Sequence, residues 1–261
     1  MSCVPTRRLF PESQPSNKLD TAGFRVTQER LLVTLCTYNE RDNVAALLPE
    51  IWKGAPQADI LVVDDNSPDG TSDFVREWSG RDSRVHLLHR PGKMGLGTAT
   101  LAALKYAVDH DYSWVLNLDA DFSHPPRYIP DLLALAPACD VAIGSRYVAG
   151  GGIVGWPWKR HLMSQAINLY SRVFLRLSTR DCSGAFRCFR VSVLKRVDFS
   201  RFLSRGYAVE EELLYRLKNV GARLAETPFI YEERRHGSSK ISLREGLLAL
   251  WIIFRLGLFG G

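Results

Sequence analysis

Asp119 and Asp121 stand one residue apart where the apolar run "LNL" gives way to "DADFSHPP". Residues 113–118 read as a buried strand, and strand side chains alternate faces, so the two carboxylates project the same way. Two aligned oxygen ligands suit one hard divalent cation, Mg²⁺ or Mn²⁺. A cation held there can neutralise a diphosphate leaving group, which is the chemistry a sugar-nucleotide transferase needs. Asp-x-Asp alone also marks ordinary solvated turns, so its meaning depends on the motifs around it.

Asp64 and Asp65 likewise follow an apolar run and precede a Ser-Pro-Asp-Gly turn. A carboxylate held at a strand end can accept hydrogen bonds from a base or a ribose. A turn leading into a helix cap at Thr71 or Ser72 accounts for residues 69–71 but not for the acidic pair. The stretch "GKMGLGTA" (residues 92–99) offers glycines for close backbone approach, Lys93 for a phosphate, and a helix start that favours anions. It is not a Walker A loop, because the lysine precedes the glycines and no Gly-Lys-Ser/Thr follows. No dinucleotide fingerprint follows the first strand, which argues against a dehydrogenase.

These residues need a frame that carries them to one place. Strand-like runs at 31–37, 60–63, 85–88, 113–118 and 141–144 alternate with helix-like segments at 42–52, 72–78, 97–109 and 126–134. That rhythm predicts an α/β fold with right-handed crossovers and a mainly parallel sheet covered on both faces. Ligands bind at the carboxyl ends of such strands. There lie "TYNE" (37–40), "DDNSPDGT" (64–71) and "DADFSH" (119–124), so all three should line one crevice. The 261 residues, 46% of them hydrophobic, suffice for one catalytic domain with appendages. We expect a flexible tail over 1–28, a catalytic domain over 29–240 and a hydrophobic C-terminal helix over 241–261. A net charge of +6 favours anionic partners without choosing among nucleic acid, phosphorylated substrates and an acidic membrane. Five scattered cysteines without metal-ligand spacing suit a reduced cytosolic setting rather than a disulfide framework.

A helix is predicted over 158–177, preceded by the Trp-rich turn "GWPWKR". Arg160, Ser164, Asn168, Arg172 and Arg176 recur at four-residue spacing, while Leu162, Leu169, Tyr170, Val173, Phe174 and Leu177 fall on the other side. Two readings stay open: a surface helix with a solvated polar stripe, or an amphipathic membrane-interface helix within 155–177, which Trp156 and Trp158 favour. The C-terminal run "LLALWIIFRLGLFGG" is shorter than the roughly 20 apolar residues a membrane span requires. It fits an interfacial helix whose Arg244 and Arg255 snorkel to headgroups, or a helix closing the core.

Taken in order, "TYNE", "DDNSPDGT", "KMGLGTA", "DADFSH", "GSRYV", "DCSGAFRCFR", "GYAVEEELLYR" and "RRHGSSK" resemble the dolichyl- or polyprenyl-phosphate mannose synthases, inverting glycosyltransferases of family 2 with the GT-A fold. The resemblance covers roughly residues 31–240. It implies transfer of mannose from GDP-mannose to dolichyl or polyprenyl phosphate by a peripheral protein at the cytoplasmic membrane face. It implies no nucleic-acid partner and leaves room for a small membrane subunit. By resemblance, Tyr38, Glu40, Asp64, Asp65, Lys93 and Ala120 contact the nucleotide donor. Asp119 and Asp121 hold the metal and diphosphate, with the position of Ser123 completing that site. Arg146, Arg160 and Ser164 bind the acceptor phosphate, and Arg234 or Arg235 with Lys240 form a basic loop over the donor. Cys36 stands where relatives commonly have Pro, and Val209 and Glu210 replace a usual Phe-Gln before the matched Glu212.

A lipid phosphate is already an anionic nucleophile at neutral pH, so such a reaction requires no strong general base. Alignment and charge remain, from Arg146 and Arg160 on the acceptor and the Asp119–Asp121 cation on the leaving group. Two alternatives stay open: the same fold moving glucose or another sugar to the same lipid, and a non-catalytic basic binding protein on a nucleotide fold.

Overall fold

A computed structural model of the chain describes residues 29–233 and 243–260. Nine strands and eight α-helices follow among them: β1 (Leu31–Thr37), α1 (Arg41–Gly54), β2 (Asp59–Asp64), α2 (Thr71–Arg81), β3 (Val85–His89), α3 (Leu96–Asp109), β4 (Trp114–Asp119), α4 (Ile129–Leu135), β5 (Val141–Ser145), β6 (Gly152–Ile153), α5 (Trp158–Leu175), β7 (Arg187–Arg190), α6 (Val191–Leu194), α7 (Val209–Asn219), β8 (Leu224–Pro228), β9 (Ile230–Tyr231) and α8 (Leu243–Phe259). The expected tail over 1–28 and the basic loop with Arg234, Arg235 and Lys240 lie outside the described residues.

The main sheet has seven strands in the order β3-β2-β1-β4-β7-β5-β8. All pairings are parallel except those of β7, which runs antiparallel to both β4 and β5. Alternation along the strands builds two cores. Val33, Leu35, Ile60, Val62, Trp114 and Leu116 face Val44, Leu47 and Ile51 of α1 and Ile129 and Leu132 of α4. Leu32, Leu61, Val63, Val115 and Val141 face Ala103 and Leu104 of α3 and Leu213, Leu214 and Leu217 of α7. Both faces of the sheet are therefore covered, as the near-continuous apolar strands require.

Helix α5 buries only part of its predicted polar stripe, since Arg172 and Arg176 stay exposed. Asn168 and Ser171 are buried against the domain, while Leu162, Leu169 and Val173 are exposed, Val173 by 63%. The polar face can be buried because its groups are paired. Asn168 donates to the Ser164 carbonyl at 2.8 Å and to Ser183 Oγ at 3.1 Å, and its Oδ1 accepts from the backbone N–H of Cys182 at 2.6 Å.

Helix α8 closes part of the core and leaves one side exposed. Ile252, Ile253 and Leu256 join the core, yet Leu247, Leu248, Trp251 and Phe259 are exposed. The helix lies close to α5, since a Cβ at Gly257 would come within 2.5 Å of the Phe174 carbonyl oxygen. Tyr170 of α5 donates its hydroxyl to the Leu250 carbonyl at 3.2 Å. No described helix is long and apolar enough to cross a membrane.

Candidate active site

Strand order reverses between β1 and β4, and a crevice opens at their carboxyl ends. Register places Cys36 opposite Asp119 across this gap. A cleft of about 430 Å³ lies there, walled by Thr37–Glu40, Asp65, Lys93, Asp119–Asp121, His124, Arg146, Trp156, Arg160, Tyr207, Glu210 and Tyr231 among others. It therefore gathers most of the sequence-predicted residues: Tyr38, Glu40, Asp65, Lys93, Asp119, Ala120, Asp121, Arg146 and Arg160.

Asp119 closes β4 and is partly open to the cleft, whereas Asp121 is buried and accepts the Ser123 backbone N–H at 3.0 Å. His124 stiffens this turn: its Nδ1 accepts the Asp119 backbone N–H at 3.0 Å, and its ring stacks on Phe186. Burial lowers the imidazole's pKa despite the nearby Asp119 charge, so a neutral ring carries its proton on Nε2. The 3.8 Å approach of Nδ1 to the Asp119 carboxylate is thus a contact and not an ion pair. No group of three or more His, Cys, Asp or Glu among the described residues gathers as a metal site. A pair of hard carboxylates still fits Mg²⁺ or Mn²⁺, which is commonly held by one or two carboxylates plus substrate phosphates. Ser123 does not line the cleft, and its Oγ is buried without a hydrogen-bond partner among the described residues.

The two acidic residues after β2 separate. Asp64 is fully buried and accepts from the hydroxyls of Thr37 (2.8 Å), Ser67 and Ser72 (2.6 Å) and from the Ser67 backbone N–H (3.0 Å), so it locks the turn and does not line the cleft. Asp65 does line it, 3.2 Å from Arg90 and accepting the Met94 backbone N–H at 3.3 Å. That bond ties down the loop bearing Lys93, whose ammonium lies 4.6 Å from the Tyr38 ring centre. Two glycines of this loop meet protein, whereas a Cβ at Gly92 would meet nothing within 4 Å. A Cβ at Gly97 would fall 2.5 Å from the Gly206 carbonyl oxygen, and one at Gly95, where φ is +99°, 2.7 Å from that of Arg205. The close backbone approach expected of these glycines is thus to protein, seating α3 on the segment leading into α7.

Across the cleft, Arg146 is buried in a two-pronged pair with Asp181, Nε and Nη2 each donating at 2.7 Å. Burial alone would lower the guanidinium's pKa, but Asp181's charge and hydrogen bonds more than offset it, and the pKa is raised. Asp181 also accepts the backbone N–H groups of Arg146 (3.0 Å) and Gly184 (3.1 Å). Arg160, in the first turn of α5, lies 3.9 Å from the Trp156 ring centre. Ser164 is one step removed: its Oγ accepts the Tyr147 hydroxyl at 2.7 Å and is not part of the cleft wall. Sequence reasoning gave no role to Asp181, Tyr231 or His124, and took Trp156 for a membrane-interface residue. A lone acidic residue before Ser-Gly and scattered aromatics carry no spacing that a single chain reveals.

Beneath the floor, fully buried Arg187 donates to the Glu210 carboxylate at 2.9 Å and to the Glu210 carbonyl at 2.8 Å. Burial pushes Glu210 up to about 7, against Arg187 and with Asp119 adding. Burial pushes neighbouring Glu211 up to about 8. One arginine cannot neutralise two dry carboxylates, so the pair retains a proton near neutral pH.

Residues 32–198 match the family described as Glycosyl transferase family 2. The chain is 42% identical over 225 residues to a polyprenol monophosphomannose synthase from Mycolicibacterium smegmatis, covering 85% of this chain and 84% of that protein. It is 37% identical over 242 residues to an undecaprenyl-phosphate mannosyltransferase from Micrococcus luteus, covering 88% and 100%. Among solved structures, mannosyl-3-phosphoglycerate synthase from Rubrobacter xylanophilus superposes with a TM-score of 0.62 at 22% identity, covering 87% of this chain and 72% of that one. A mannosyltransferase from Pyrobaculum calidifontis, solved with GDP-Man and Mn²⁺, superposes with a TM-score of 0.52 at 17% identity, covering 90% and 72%. These likenesses establish the GT-A fold. Joined to a cleft at the switch point of a mainly parallel sheet, they identify the chain as a member of glycosyl transferase family 2 and a glycosyltransferase.

Proposed function

We propose that this enzyme transfers mannose from GDP-mannose, with inversion, to dolichyl or another polyprenyl phosphate, giving the β-mannosyl phospholipid and GDP. The observation that carries the reading is the convergence of two carboxylates, Asp119 and Asp121, and two guanidiniums, Arg146 and Arg160, on one cleft. The carboxylates suit a Mg²⁺- or Mn²⁺-bound diphosphate, and the guanidiniums suit a second anion, the acceptor. Tyr38, Glu40, Asp65, Lys93 and Ala120 would line the donor side. Asp64 would contribute by fixing the turn that carries Asp65.

Arg146 and Arg160 would orient the acceptor oxygen for in-line attack, which inverts the anomeric centre. The phosphate arrives ionised, so no side chain need remove a proton. The divalent cation, when bound, supplies positive charge to the departing diphosphate. Donors arranged this way are each typically worth about 10²–10³ in rate.

A lipid acceptor also needs an enzyme that meets a membrane. Trp158, Leu162, Leu169 and Val173 of α5 and Leu247, Leu248, Trp251 and Phe259 of α8 are all exposed. Together they form the kind of apolar surface that marks an interaction site. With a net charge of +6 the occupant we favour is an anionic bilayer surface at the cytoplasmic face, with the protein bound peripherally.

Incubating the protein with labelled GDP-mannose or UDP-glucose, Mg²⁺ or Mn²⁺ and a panel of polyprenyl phosphates tests the reading. Mannosyl lipid from GDP-mannose is the expected product. Glucosyl lipid from UDP-glucose alone would replace the donor, and absence of any glycolipid product would refute the acceptor.

A further inference from the structure

The rim of the cleft that holds the two arginines is built around one indole. A two-stranded ribbon, β6 paired with β9, sets Ile153 beside Tyr231, and the Val154 N–H donates to the Tyr231 carbonyl at 2.9 Å. The chain then turns at Gly155, where φ is +90° and a Cβ would meet the Glu233 carboxylate at 2.7 Å. This turn delivers Trp156 against Tyr231, ring centres 5.1 Å apart at 64°. Arg160 lies 3.9 Å from the indole centre and Arg146 lies 5.8 Å from it. Both guanidiniums therefore flank the same ring.

Two features of this rim are unsatisfied. Arg146 has Asp181 as counter-charge, but Arg160 makes no ion pair with a carboxylate among the described residues. The Trp156 Nε1–H is shielded from solvent and finds no hydrogen-bond acceptor among the described residues, although the residue lines the cleft. Buried indole N–H groups ordinarily find a partner. A guanidinium without such an ion pair and an unpaired donor on one cleft wall are both answered by an anion with several acceptor oxygens.

We propose that Trp156 is an acceptor-binding residue: its ring holds the Arg160 guanidinium in place, and its Nε1–H donates to the phosphate monoester gathered between Arg146 and Arg160. This deepens the phosphate-acceptor reading above and rests on it. An indole N–H lies at a fixed place on a rigid ring, so it adds direction to the site. It donates and cannot accept, which suits a fully ionised phosphate and disfavours a neutral hydroxyl in that position.

Trp156→Phe keeps an aromatic ring and removes the N–H, while Trp156→Leu removes both. In transfer assays with polyprenyl phosphate, Trp156→Phe should raise the acceptor KM about tenfold, as loss of a hydrogen bond to a charged group implies. The kcat at saturating acceptor, the GDP-mannose affinity and the melting temperature should stay close to wild type. Trp156→Leu should raise the acceptor KM further, because Arg160 also loses its stacking surface. An acceptor KM within about twofold of wild type in Trp156→Phe overturns the proposal, as does a matching fall in donor affinity, which would move Trp156 to the nucleotide side. Should Trp156→Leu fail to fold, Trp156→Phe still decides. Arg160→Ala, measured in parallel, separates the two levels: an unchanged acceptor KM there refutes the phosphate site itself. A raised KM there with an unchanged one in Trp156→Phe refutes only the part given to Trp156.

Discussion

Asp181→Asn removes one charge from beside Arg146 in the proposed acceptor wall and almost no volume. In the native chain Asp181 accepts four hydrogen bonds, two of them from the Arg146 side chain at 2.7 Å, and is wholly buried. Arg146 is 8% exposed and cannot shed its proton, so the amide leaves a buried cation with a dipole where a counter-charge had been. Breaking a buried pair from one side costs about 3–5 kcal/mol. For a chain of this size that corresponds to a melting temperature lower by roughly 6–20 °C. A typical fold, stable by about 5–15 kcal/mol, tolerates the loss, so the variant can be assayed. Its acceptor KM should rise sharply while GDP-mannose affinity changes little, because Asp181 touches no donor-side residue. The double variant Arg146→Met, Asp181→Leu separates stability from function. Removing both charges should restore much of the melting temperature without restoring acceptor use. If Asp181→Asn melts within about 4 °C of wild type, a change of ~1 kcal/mol, and keeps its acceptor KM, then Arg146 is not held by this pair and the reasoning is wrong.

Asp121→Asn should abolish transfer and the metal-dependent thermal stabilisation by GDP-mannose while leaving the unliganded melting temperature near wild type; transfer within a few fold of wild type would sink the metal role. Leu169→Glu with Val173→Glu alters only exposed positions of α5 and should abolish flotation with anionic vesicles at unchanged melting temperature; a variant that still floats refutes the membrane surface. Glu211→Gln tests the buried acid pair. Between the ordinary carboxylate value of 4.5 and about 8, the folded chain keeps a proton on Glu211 that the unfolded chain has released, so stability falls as pH rises through that window. The amide mimics the neutral acid, so the variant should melt close to wild type at pH 5 and above it at pH 8; an equal deficit at both pH values contradicts the assignment.

The half of the molecule from β1 to β5 was legible because its signals are local. Apolar runs bounded by turn residues gave β1 to β5 and the helices between them, and polar clusters at strand ends gave Asp119, Asp121, Asp65 and Tyr38. Strand β7 escaped, being four residues, "RCFR", with two arginines and no alternation; only its insertion between β4 and β5 makes Arg187 a core residue. The direction of α5 escaped for a different reason. Polar residues every four positions describe a stripe, and a stripe that faces solvent has the same period as one that faces a site. The glycines at 95 and 97 likewise signal close approach without saying to what. Trp156 and Tyr231 meet only through a ribbon whose strands lie far apart in sequence, and one chain read alone contains nothing that pairs them.

Strand β7 also makes the cleft depend on residues distant in the chain. It lies between β4, which carries the carboxylates, and β5, which leads to Arg146, yet it is made after both. Without Arg187–Arg190, the Trp114–Asn117 edge of β4 would have an unpaired row of backbone groups, and β5 would have nothing to join it to β4. A chain ending at α5 would hold Asp119, Asp121, Arg146 and Arg160 but lack the strand that joins β4 to β5. One short strand thus joins the two sides of the cleft, the carboxylates at the end of β4 and the guanidinium that follows β5.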